Sequence, residues 1–246
     1  MNGDDAQIAC VEVGGSGVET VLFAADGTVV RVDGALRPAD TRLAIATPGN
    51  IEDGRVVAAS NLGWLDVDPT EVLGIGPAAE LVLNDAEAAA LGEVVLREGV
   101  TDAVYICIGT GVGGAVVRDG QAVATNLLGH LDGYSERECV CGQMGCLETV
   151  AAGWALPDPI DAGALERMAS SIAHALQRET LATPRLVVLG GGIARRYPAL
   201  RAQLAEHAAD RSIELSAAPA GFKSASAWGL RAALATPSQI RAPQSR

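Results

Sequence analysis

The densest group of chemically capable side chains is His130 followed by Cys139-Val140-Cys141-Gly142-Gln143-Met144-Gly145-Cys146. One imidazole and three thiolates fill a tetrahedral Zn2+ shell and leave no open position, so the pattern predicts a structural rather than a catalytic ion. Gly142 and Gly145 let the short loop fold its sulfurs inward. Disulfides would require an oxidising compartment, and the acidic stretch Met1-Asn2-Gly3-Asp4-Asp5 carries no secretory pattern, so metal binding is the better account of the cluster. Cys10 and Cys107 lie in apolar stretches, where a thiol acts as a small hydrophobe.

A second pattern occurs twice. Residues 10–30 and 106–123 each read as strand, glycine turn, strand, Asp-Gly turn, strand, the turns being Gly14-Gly15-Ser16-Gly17 and Gly109-Thr110-Gly111-Val112-Gly113-Gly114. Either turn alone is a tight hairpin. Two facing one another would cradle a polyphosphate between backbone N–H groups, with Ser16 and Thr110 as hydroxyl donors and Glu12 as a carboxylate on the Mg2+ side, which favours ATP. The second turn also fits G-x-G-x-x-G, but a strand rather than a helix follows it, so a dinucleotide site is not expected. The sequence contains no G-x-x-x-x-G-K-[ST].

The elements that must hold these groups alternate along the rest of the chain. Short buried strands fall at 43–46 and 81–83, and a helix over 85–97 begins behind Asn84 as N-cap with Glu87 completing a capping box. A helix over 164–179, a strand over 185–189 closing on Gly190-Gly191-Gly192, a helix from about Pro198 and a last helix over 224–234 follow. The fold class is α/β, a duplicated arrangement of two lobes. Residues 1–101 make the first lobe, joined by the carboxy-terminal helix 224–235; residues 102–223 make the second with the metal loop 130–148; residues 236–246 are a disordered tail. With 246 residues, 49% apolar but 3% aromatic, the core must be built from Ala, Val, Leu and Ile. The formal charge of −12 opposes binding to nucleic acid. No apolar run is long enough for a membrane span, and a cytoplasmic location is expected.

Gly129-His130 followed by C-x-C-G-x-x-G-C-x-E at residues 139–148 resembles the signature of the ROK family (repressors, open reading frames, kinases). Thr47-Pro48-Gly49, Asn61-Leu62-Gly63-Trp64, Asn84-Asp85-Ala86, the second glycine turn and Gly190-Gly191-Gly192 follow in family order. The resemblance implies an actin-like (ribonuclease H-like) fold of duplicated βββαβα units and an ATP-dependent sugar kinase. ATP would lie against Gly14, Gly15, Ser16, Thr110, Gly111, Gly191 and Gly192, with Mg2+ beside Glu12. Asp85 would take the proton from the attacking sugar hydroxyl, while Asn84, His130 and Glu148 would bind other hydroxyls. The partners implied are a small-molecule sugar, ATP and a second copy in a homodimer. Repressors of the group carry a DNA-binding segment ahead of the first strand, which here starts near Gln7. The alternative is therefore a non-catalytic sugar-binding or regulatory protein of this kind without such a segment.

The sequence departs from the family at three places. Leu127 stands where kinases of the family have the glutamate of Glu-x-Gly-His, and Glu12 and Gly17 replace the aspartate and lysine of the first turn. The span between Val30 and Leu43 is short for a crossover helix. A missing charged acceptor forfeits roughly 1.5–3 kcal/mol, about tenfold to a hundredfold in affinity. Sugar binding is thus predicted to be weak in the native chain and tighter in Leu127→Glu, measured by calorimetry. Ordinary hexose affinity in the native chain would contradict this.

Overall fold

The computed structural model describes residues 7–15, 17–125, 128–178 and 184–236. The first part of the chain forms β1 (Ile8–Gly14), β2 (Gly17–Phe23), β3 (Val29–Asp33), β4 (Arg42–Thr47), β5 (Asn50–Glu52), β6 (Arg55–Ala59), β7 (Trp64–Val67), α1 (Pro69–Leu73), β8 (Leu81–Asn84) and α2 (Asp85–Val95). The second part forms β9 (Ala103–Ile108), β10 (Val112–Arg118), β11 (Gln121–Ala124), α3 (Glu148–Ala151), α4 (Ala162–Arg178), β12 (Leu186–Gly190), α5 (Gly191–Arg196), α6 (Ala199–His207), β13 (Ser212–Leu215) and α7 (Ser226–Ala235).

The duplication read from the glycine turns extends to whole sheets. One sheet has the order β3-β2-β1-β4-β8 and the other β11-β10-β9-β12-β13. In each, three antiparallel strands are followed by two parallel ones. The parallel strands β4, β9 and β12 read as continuous apolar runs because both faces of their sheets are covered. A three-stranded meander, β5-β6-β7, is added after β4. Neither the meander nor α1, α3 and α5 was anticipated from the sequence pattern, since each is too short for a periodic signal.

Helices α2 and α7 each follow the last strand of a sheet and pack against the other sheet as well as each other: α2 on β9 and β10, α7 on β1 and β4. They lie between the two sheets in one apolar cluster with Cys10, Phe23, Ala44, Tyr105 and Val117. Where they touch, Gly92 lies against Ala225 and Gly229 against Ala88 and Gly92, small residues that bring the backbones together. At its far end α2 is pinned by Glu93, fully buried, which accepts from Arg97, from Ser216 and from Ala217 N–H at 2.9 Å.

The outer faces are covered differently. Helices α4 and α6 lie over the second sheet, burying Met168, Ile172, Leu200 and Leu204 against Ile106 and Leu189. Over the first sheet, Val11, Leu43 and Ile45 meet Ala35, Ile51, Leu62, Trp64 and Ile75, which belong to the meander and to loops. Residues 34–41 contain no helix, in keeping with the shortness of that crossover. Among the described residues no helix is long and apolar enough to cross a membrane.

A Cβ on Gly229 would fall 1.9 Å from Ala88 O, and one on Gly92 1.9 Å from Ala225 O. Backbone cannot yield as a side chain can, so Gly229→Ala is expected to destabilise by about 2 kcal/mol or more. The corresponding fall in melting temperature is roughly 4–8 °C. An unchanged melting temperature would show that the helices do not touch as described.

Candidate active site and metal centre

The strand-to-helix junction at β8–α2 carries the first part of the site. Asn84 ends β8 in extended conformation, and its Oδ1 accepts from Ala86 N–H at 3.0 Å and Glu87 N–H at 3.3 Å, while its Nδ2 donates to Gly49 O at 3.0 Å. The N-cap expectation therefore holds, and the same side chain ties the junction to the β4–β5 turn. Gly49 has no room for a Cβ, which would lie 2.3 Å from Ala58 O. Asp85 is the first residue of α2, half-buried, with Oδ1 accepting from Ala86 N–H at 2.9 Å. Burial pushes its carboxyl up to about 6, against a lowering by backbone N–H bonds.

Glu12, on β1, accepts from Ser224 Oγ at 2.7 Å. Its carboxyl is pushed up to about 7, chiefly by burial and further by the nearby charges of Glu19 and Asp85; the Ser224 bond and Lys223 act the other way. Ser224 and Lys223, beside Glu12, and Arg195, which donates to the Lys223 carbonyl, carried no motif in the sequence. Ser224 and Lys223 come near Glu12 only in space, more than 200 residues along the chain, and Arg195 is tied to them through the carbonyls of Phe222 and Lys223.

The two glycine turns meet. A Cβ on Gly15 would stand 3.6 Å from Thr110 Oγ1, so the β1–β2 turn faces the β9–β10 turn directly. Gly17 has positive φ (131°), whereas Gly14, Gly15, Gly109 and Gly111 do not, and of these four only Gly111 lacks room for a side chain. At Gly111 a Cβ would fall 2.5 Å from Glu148 Oε1. Behind the second turn Gly153 N–H donates to Gly109 O at 2.8 Å, and Gly191, with φ 88°, packs on Ile108. Gly192 opens on free space at the start of α5. Gly153 carried no motif to mark it in the sequence.

The donor atoms of His130, Cys139, Cys141 and Cys146 all lie within 4.8 Å of one another. Cys141 and Cys146 sulfurs are 3.7 Å apart, and Cys139 Sγ is 3.8 Å from His130 Nδ1. Ligands about 2.3 Å from a common tetrahedral centre are about 3.8 Å apart, so the group fits a single small ion. The loop is shaped for this by Cys139 N–H to Gln143 O (2.8 Å) and Gly145 N–H to Arg137 O (2.8 Å), with Gly142 and Gly145 at positive φ. All five cysteines are free of disulfides.

Glu148 joins the metal loop to the second glycine turn. It starts α3, is buried, and accepts from Val112 N–H through Oε1 at 2.8 Å, with Oε2 3.8 Å from Cys139 Sγ. Of the residues singled out in the sequence, Asn84 and Asp85 thus share one junction, Gly15, Thr110 and Gly111 share the facing turns, and His130 and Glu148 share the metal loop. Ser16 and Leu127 lie outside the described residues, as do residue 179 and residues 237–246.

Two sheets of one strand order, with a helix pair between them and facing hairpin turns, define an actin-like, ribonuclease H-like ATPase fold. The ROK family model matches residues 31–235, and the chain belongs to that family. It is 32% identical over 181 residues to N-acetylmannosamine kinase of Escherichia coli O6:H1, an alignment covering 59% of this chain and 61% of that relative. The chain thus spans about three fifths of the length of the curated relatives it matches. A ROK family protein from Streptococcus pneumoniae TIGR4 in complex with sucrose has a TM-score of 0.71 at 18% identity, covering 95% of this chain and 99% of that one. A ROK family glucokinase from Streptomyces griseus in complex with glucose and AMPPNP has a TM-score of 0.70 at 18% identity, covering 92% and 98%.

Proposed function

We propose that this chain is an ATP-dependent sugar kinase that transfers the γ-phosphoryl group of ATP to a hydroxyl of a hexose or related sugar. The observation that carries the reading is Asp85, a half-buried carboxylate with a raised pKa, set at the head of α2 by an Asn84 cap. A general base works best when its pKa lies near the working pH. In the reaction the sugar hydroxyl gives its proton to the Asp85 carboxylate as its oxygen bonds to the γ-phosphorus, and the bond from that phosphorus to the β–γ bridging oxygen breaks, releasing ADP.

Asn84, His130 and Glu148 are proposed to orient the sugar. Asn84 stands beside Asp85 at the head of α2, His130 keeps Nε2 for a hydroxyl with Nδ1 towards Cys139, and Glu148 has Oε2 on the Cys139 side while Oε1 accepts from Val112 N–H. Gly14, Gly15, Ser16, Thr110 and Gly111 are proposed to hold the phosphates through backbone N–H groups and hydroxyls, with Gly191 and Gly192 on the nucleoside side. Glu12 and Asp85 repel one another, a situation that a divalent cation beside Glu12 relieves, and Mg2+ there would neutralise phosphoryl oxygens. Zn2+ is proposed for the His130, Cys139, Cys141 and Cys146 group in a structural role.

The name of the curated relative makes N-acetylmannosamine the first sugar to test. Activity should fall as pH drops through about 6, because Asp85 must be ionised to act. The stability sign is opposite: a carboxyl raised from 3.8 to about 6 favours the fold most below its unfolded value, and that contribution is lost as pH rises through 6. Asp85→Asn should therefore lower kcat by roughly 10²–10⁴ while leaving the melting temperature at pH 8 unchanged or slightly higher. A native chain inactive on a panel of sugars and unable to bind ATP would favour the non-catalytic reading instead.

The metal assignment predicts about one zinc per chain by elemental analysis. Cys141→Ser, or chelation, should remove it and lower the melting temperature. Protein never exposed to chelator and free of zinc would overturn the assignment.

A further inference from the structure

We propose that Lys223 is the cation that binds the polyphosphate of the nucleotide beside the first glycine turn. This rests on the ATP-dependent reading above and adds the residue that meets the phosphate charge. Lys223 is the only lysine in the sequence; the other 17 of its 18 basic residues are arginines. Every other cation of an ion pair among the described residues is arginine or histidine, so the one ammonium stands where a different chemistry is served.

Its place is set from both sheets. Arg195, on α5, which opens at Gly191, donates to the carbonyls of Phe222 and Lys223. The next residue, Ser224, donates to Glu12 at 2.7 Å, and Lys223 N–H points at Glu19 Oε1 at 3.5 Å. Glu12 and Glu19 are register partners, and the hairpin closes two residues further on at Gly14 and Gly17. Two residues of strand span roughly 7 Å, within the swing of a four-carbon stem ending in a compact, rotatable ammonium.

Glu19 does not depend on this ammonium. Its carboxylate already has Arg31 Nε at 2.8 Å, whereas Lys223 Nζ is 3.8 Å away, beyond direct hydrogen-bond range. The Lys223 side chain is 34% exposed, so it can leave Glu19 for a phosphate at small cost. The local charge calls for a cation as well: Glu12, Glu19 and Asp85 would repel a polyphosphate approaching the turn unless a positive group stood among them.

The single lysine makes a clean test on the whole chain. Acetylation of Lys223 by an N-hydroxysuccinimide ester, followed by peptide mass spectrometry, should slow about tenfold or more with saturating Mg·AMP-PNP, and also with inorganic tripolyphosphate. Equal rates with and without them overturn the proposal, and this arm needs no variant to fold. By calorimetry Lys223→Met should weaken Mg·AMP-PNP binding by about tenfold, the loss of one charge-assisted contact, and Lys223→Arg should restore most of it. Unchanged affinity with a lowered melting temperature would leave Lys223 as a partner of Glu19 only and overturn this proposal while the kinase reading stands. A native chain that binds no Mg·AMP-PNP would sink both.

Discussion

The contact between α2 and α7 is the constraint on which the rest of the molecule depends. Two helices carry the connection between two sheets, and glycine at 92 and 229 lets each backbone lie against the other with no side chain between. Close-packed backbone transmits displacement because it has no rotamer to absorb it. Both helices also begin at the site: Asp85 opens α2, and Ser226 opens α7, with Ser226 Oγ reaching Asp85 O at 3.4 Å. The helix pair therefore fixes Asp85 relative to the segment that carries Lys223 and Ser224. Trp228, edge-on to both Phe23 and Phe222, locks that segment to β2.

Around this pair the chain keeps carboxyl groups where water is scarce. Glu12, Asp85 and Glu87 are all raised, each mainly by burial. Such groups cost stability once ionised, and a fold retains them where they meet a proton, a cation or a polar ligand. The buried carboxylates used for architecture are treated otherwise. Glu93 has Arg97, Ser216 and a backbone N–H, and Glu19 has Arg31 at 2.8 Å.

The loop of His130, Cys139, Cys141 and Cys146 reaches the second glycine turn through one side chain. Glu148 follows Cys146 by two residues and accepts from Val112 N–H, so the conformation of the Cys/His loop is tied to the turn that faces Gly15. On the other side of the molecule the first sheet lacks a crossover helix between β3 and β4. Its outer face is closed by loops and the β5-β6-β7 meander, and its core residues Val11, Leu43 and Ile45 are nevertheless fully buried. The β4–β5 turn that leads into this cover also holds Asn84 through Gly49 O.

What the sequence determined by itself was whatever depends on neighbours along the chain. His130 and the three cysteines that converge lie within 17 residues of one another, the Asn84 cap within three of the groups it binds, and the strand-turn-strand units within single hairpins, so type and spacing sufficed for these local arrangements. The duplication and the α/β class followed from the same local signals. Only the tertiary structure decided which surfaces face one another: that Gly15 meets Thr110, that Glu148 spends itself on Val112, and that Lys223 and Ser224 stand over Glu12 from more than 200 residues away. Short elements such as α1 and the meander were also left to it. The physical reason is that hydrogen bonds within a turn are set by local backbone angles, whereas charges and glycines brought together by packing leave no periodic trace in the chain.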